Sequence, residues 1–165
     1  MKKNRKNKID ELINFIGELS GFLIFALIVF IFISVVLRYF FAIGFTWLQD
    51  LYIWTHAIII LLGISYTLKQ NEHVRIDLIY RNASDKYKKI INLFGLFVFG
   101  LPFCLILINF GFDYFLRSYI LDESSKEIGG LPNLFILKFF ILFMGITLLL
   151  QILNLILKIF SGKKW

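Results

Sequence analysis

Charged and apolar positions along this chain separate into blocks. Four runs contain no Asp, Glu, Lys or Arg: residues 19–37, 51–68, 90–112 and 139–157, which are 19, 18, 23 and 19 residues long. At a rise of about 1.5 Å per residue, roughly 20 helical residues cross a hydrocarbon core of about 30 Å. Lipid offers a bare backbone no hydrogen-bond partner, and four separate stretches cannot close a barrel, so each run is predicted to be a helix. Ahead of the first run, Ile9, Leu12, Ile13 and Ile16 recur at helical spacing among Lys8, Asp10, Glu11 and Asn14. That pattern predicts a short amphipathic helix lying on the membrane surface. The reading is an all-α integral membrane protein of one four-helix domain. It has an interfacial helix over about residues 8–17 and transmembrane helices over about 18–38, 47–68, 90–112 and 138–158. The first apolar run exceeds the length of a secretory signal and is expected to be an uncleaved span. The two halves show no similarity to each other, so the inverted-repeat plan of many secondary transporters finds no support.

Composition agrees with that picture. The chain is 59% hydrophobic and contains 20 Phe among 165 residues, more apolar surface than a soluble domain of this size can hide. A soluble enzyme is excluded. The net charge of +7 suggests nucleic acid at first sight, but the distribution of the basic residues explains it otherwise. Fourteen of the 18 Lys and Arg flank the spans on one side, and only Arg38, Arg117, Lys126 and Lys138 fall on the other. By the positive-inside rule both termini and the middle loop are expected in the cytoplasm, and no nucleic-acid partner is expected. Cys104 is the single cysteine, which excludes an intramolecular disulfide and a paired-thiol redox centre.

Ionisable residues inside a membrane are costly and therefore point to function. Here they are few. Thr46, Trp47, Gln49 and Asp50 open the second span, where Thr46 and Gln49 suit a capping box and Asp50 suits the positive helix end. Trp47 and Trp54 suit the headgroup region. Alternatively, Trp47 and Asp50 contact another membrane protein. His56 shares a helix face with Gln49, Tyr52 and Gly63. It reads as an interhelical packing contact, with proton relay as the other possibility, and Gly63 reads as a point of close helix approach. Residues 69–80 follow the second span. In them His73, Arg75 and Asp77 alternate with Val74, Ile76 and Leu78, either as a membrane-skimming loop or as an acid–base pair that lacks a nucleophile. One His in a span and one Cys make neither a metal nor a haem site, so no cofactor is expected.

Trp47, Asp50, Gly63 and the string His73-Val74-Arg75-Ile76-Asp77 together resemble the signature of the small membrane subunit of tripartite ATP-independent periplasmic (TRAP) transporters, the DctQ-like family. Arg38 just beyond the first span and Gly130-Leu131-Pro132 before the fourth agree with that layout. The chain departs from the family pattern at Gln49, where members often carry a second acid, leaving Asp50 as the single acidic candidate. The resemblance implies a non-enzymatic scaffold in a bacterial inner membrane. Its partners would be the lipid bilayer, a large elevator-type membrane subunit that carries the sodium coupling, and a periplasmic binding protein that delivers an organic acid. Arg38, Trp47, Asp50, Gly63, His73 and Asp77 are then the expected partner-contact or structural residues, and His56 a helix-packing one. A self-sufficient proton-coupled exporter of four spans is the alternative, although it would need a membrane-embedded acid that the first span lacks.

Overall fold

The computed structural model describes residues 7–72 and 84–161. His73, Asp77 and most of the 69–80 string therefore lie outside the described residues, as do residues 1–6 and 162–165.

Helix α1 runs from Lys8 to Phe40. Asn7 caps it, its Oδ1 accepting from the Ile9 amide at 3.2 Å, and Asp10 and Glu11 in the first turn complement the positive helix end. The separate surface helix expected at 8–17 is continuous with the first span in one 33-residue helix. Ile13 and Ile16 are buried against Leu62, with Ile58 and Tyr66 packed beside them. Contact with the second helix keeps this segment straight, and Gly17 is what permits it. The Tyr66 ring lies on Gly17 so closely that a Cβ there would overlap ring atoms.

The chain turns through Phe41–Phe45, with Ala42 at φ 53°, into α2, Thr46–Gln70. The capping box expected at Thr46 is not formed. The N-cap is Phe45 in extended conformation, which makes Thr46 the first helical residue and leaves the helix start without a side-chain cap. At the other end Asn71 adopts the left-handed conformation (φ 62°). The Asn71 amide donates to Leu68 and the Glu72 amide to Thr67, closing the helix in a Schellman arrangement.

Ser84 caps α3, Asp85–Gly95. A wide π turn over Leu96–Gly100 joins it without interruption to α4, Leu101–Ile120. Pro102 explains the widened turn: it has no amide hydrogen to donate, and its ring collides with the carbonyl four residues earlier in a regular helix. Helix α5, Phe135–Phe160, completes the fold.

These four long apolar helices each suffice to cross a membrane. The neighbours are α1 with α2, α2 with α5, and α5 with α4, while α1 touches α5 only lightly. The array is open, with α1 and α4 at its two edges, where a square bundle would close. Helix α5 is its core: 56% of its most apolar window is buried, against none of that in α1. Leu148, Ile152, Leu155, Ile156 and Ile159 of α5 pack with Leu96 and Cys104.

Glycines bring α4 and α5 together. A Cβ at Gly145 would lie 3.1 Å from Ile108 Cγ1 and 3.2 Å from Leu107 Cβ, and one at Gly111 would lie 3.4 Å from Leu142 Cα. In lipid, helices associate through such small-residue contacts and buried hydrogen bonds. Of the latter, Ser65 Oγ donates to Thr147 Oγ1 at 2.8 Å between α2 and α5.

Candidate functional site

The start of α1 and the last turns of α5 meet at one end of the array. Asn154, 1% exposed, receives a hydrogen bond from Asn7 Nδ2 at 2.5 Å and donates to Asp10 Oδ1 at 2.9 Å. Lys158 Nζ reaches the same Asp10 oxygen at 2.7 Å, and Lys69 Nζ donates to the Asp10 carbonyl at 2.7 Å and to Asn14 Oδ1. Helices α1, α2 and α5 are therefore tied by polar groups at this end of the array. This cluster serves the chain's own assembly.

At the opposite end, two stretches singled out in the sequence come together. Asp50, 8% exposed, accepts through Oδ2 from the Leu131 amide at 2.9 Å, joining the second span to the Gly130-Leu131-Pro132 turn. Gly130 is required there because a Cβ would collide with the Asp50 carboxylate and lie 2.6 Å from Ser125 Cβ. Asp50 thus holds the 121–134 connection over the start of α2. We expect Asp50→Ala to cost about 2 kcal/mol, the range for a hydrogen bond to a charged group, and Asp50→Asn clearly less because it keeps an acceptor. Thermal unfolding of the two variants in detergent checks this.

A second clasp lies beside the first. Lys138, only 7% exposed, pairs with Glu123, and its ammonium sits 3.9 Å from the Tyr114 ring centre. The hydrogen bond from Lys138, with the positive charges of Lys138 and Lys126, holds the Glu123 carboxyl below its usual range. A depressed carboxyl contributes stability that is present above the ordinary carboxylate value and lost as pH falls through the lowered one. The melting temperature of the wild type is therefore expected to fall on acidification below about pH 4.5 toward that of Glu123→Gln, which is already lowered at neutral pH. Equal pH profiles for both proteins would contradict this.

The remaining expected residues look outward. Arg38 is exposed and, with Ser34, Gly44, Thr46 and Gln49, lines a small polar cleft of about 130 Å³. Trp47 is 45% exposed. His56 is exposed and forms no interhelical hydrogen bond among the described residues, so the contact expected for it is not seen within them. Gly63 is likewise corrected: a Cβ built on it meets nothing within 4 Å, so among the described residues no helix makes the close approach expected there. Close helix approaches occur instead at Gly17, Gly100, Gly111 and Gly145, which sequence reasoning missed.

One regularity on α2 connects these residues. Apart from Trp47, its exposed residues are Gln49, Ile53, His56, Ile60 and Gln70, and the open Gly63 falls in the same row. Successive members are three, four or seven residues apart, one face of a helix in heptad register. His56 is the eleventh residue of α2, about 15 Å from its start and near the middle of the helix.

Residues 9–162 match the family described as tripartite ATP-independent periplasmic transporters, DctQ component. The chain belongs to this family. DctQ-type subunits are non-catalytic membrane scaffolds of TRAP transporters, and the family functions together with a large membrane subunit and a periplasmic substrate-binding protein. No curated protein is similar enough to the chain to count as a match. This DctQ protein is thus a multi-pass membrane protein of a transport system, with no group of three or more potential metal ligands among its described residues.

Proposed function

We propose that this protein is the fixed membrane subunit of a sodium-coupled TRAP system in a bacterial cytoplasmic membrane, with both termini in the cytoplasm. It would hold a large elevator-type subunit while that subunit moves an organic acid delivered by the binding protein. The observation that carries this is the outward α2 row of His56 and Gly63. An exposed histidine near the middle of a spanning helix is unfavourable against lipid, and a glycine with open space before it leaves room for a helix from another chain. The open array supports the reading, since a flat slab offers more contact to a partner and more lipid-facing perimeter than a closed bundle. Asp50 contributes indirectly, by fixing the 121–134 connection above the start of this row.

The test is to co-express the chain with the large subunit, purify through a tag on this chain, and reconstitute the product with the binding protein. A larger membrane partner is expected to co-purify. Sodium-dependent uptake is expected with this chain and not without it. Full uptake by the large subunit and binding protein alone would refute the proposal.

A further inference from the structure

On the far edge of the array, α4 and α5 enclose a cleft of about 540 Å³, within the size range of small-ligand sites. Its inner part is apolar, formed by Leu107, Phe110, Gly111 and Ile141, and its mouth carries Asp113 and Arg117. The charge-free stretch of this span ends at Phe112, so the apolar part faces hydrocarbon and the mouth lies at headgroup level. Asp113 and Arg117 stand one helical turn apart on one face. Both are exposed, and they form no ion pair with each other among the described residues. An acid and a base presented separately above one apolar cleft complement a ligand that carries both charges on an apolar tail.

We infer that this cleft binds a phospholipid with a primary ammonium and a phosphate in its headgroup, phosphatidylethanolamine being the simplest. Arg117 donates to the phosphate oxygens, for which a planar guanidinium is well matched. Asp113 accepts from the ammonium, and the acyl chains run along Leu107, Phe110 and Ile141. A quaternary ammonium cannot donate to Asp113, and an anionic headgroup without an amine leaves that carboxylate unpaired and repelled. The site therefore selects by headgroup. Bound lipid would fill the edge of the slab remote from α1 and brace α4, whose extensive helix contacts are with α5.

The full chain, stripped of lipid and offered an equimolar mixture of phosphatidylethanolamine, phosphatidylglycerol and phosphatidylcholine, is examined by native mass spectrometry. Phosphatidylethanolamine should be retained about fivefold over each of the others, the factor for one headgroup-level charge contact. Asp113→Asn should abolish the preference over phosphatidylglycerol, and Arg117→Gln should lower phosphatidylethanolamine retention about fivefold. Both side chains are exposed, so the variants are expected to fold. As an independent readout, Ile106→Cys on the cleft wall should react with maleimide more slowly once phosphatidylethanolamine is restored. Background is low because Cys104 is fully buried. Equal retention of the three lipids, or wild-type preference in both variants, would overturn the inference. So would protection of residue 106 by a co-purifying protein and not by lipid, which would make the cleft a protein interface.

Discussion

Replacing Gly145 with Leu is expected to destabilise the isolated chain by about 3 kcal/mol, the upper part of the range for overpacking a dense interior. A Cβ at this position would already be 3.1 Å from Ile108 Cγ1, 3.2 Å from Leu107 Cβ and 3.4 Å from the Ile108 backbone nitrogen. The last of these belongs to the α4 backbone and cannot yield by changing rotamer. The remaining carbons of a leucine would push α4 away from α5, and α4 has no other extensive helix contact to hold it. Gly111→Leu should act in the same way from the other side, against the backbone at Leu142. Gly21→Leu is the control, because a Cβ there meets nothing within 4 Å. Thermal unfolding in detergent, with size-exclusion chromatography to detect aggregation, reads all three. Wild-type unfolding in Gly145→Leu would mean that α4 and α5 do not pack through this glycine.

The four spans were legible in the sequence because their cause is simple: a charge-free run of sufficient length has one solution in lipid. The inward faces were harder to read. In a soluble helix the core side is apolar and the other side polar, but here both sides are apolar, and Phe22 or Phe25 on α1 points outward as readily as Leu148 points inward. Polar residues were the better guide. Ser65, Thr147, Gln151 and Asn154 are all buried and mark the interior of α2 and α5. Among the amides of the spans, Gln151 and Asn154 are buried, whereas Asn109 lies exposed. Glycine was ambiguous, since it marks close approach at Gly145 and open space at Gly63. Only the exposure of neighbouring residues separates the two cases. Asp50 read as a local cap because nothing in its own segment reveals that Leu131, 81 positions away, supplies its donor.

That ambiguity at Gly63 yields the prediction that bears most directly on function. Gly63→Leu is expected to leave the isolated chain at least as stable as the wild type, since among the described residues nothing beyond the neighbouring turns of its own helix lies within 4 Å of the added Cβ and leucine is the better helix former. Recovery of the co-expressed large subunit should nevertheless fall about tenfold or more. Tenfold corresponds to about 1.4 kcal/mol, which a side chain intruding into a close-packed helix contact readily exceeds. His56→Leu should weaken recovery less, because one interhelical hydrogen bond in a membrane is worth about 0.6 to 1.7 kcal/mol. Phe25→Ala serves as a comparison on the outward face of α1, where the ring is 67% exposed. If the α2 row is the partner surface, Gly63→Leu separates two properties that Gly145→Leu loses together: the fold survives and the assembly does not. Full recovery of the partner with Gly63→Leu and its loss with Phe25→Ala would instead move the interface to α1. The row on α2 would then be turned toward lipid, and the cost of His56 there would need another explanation.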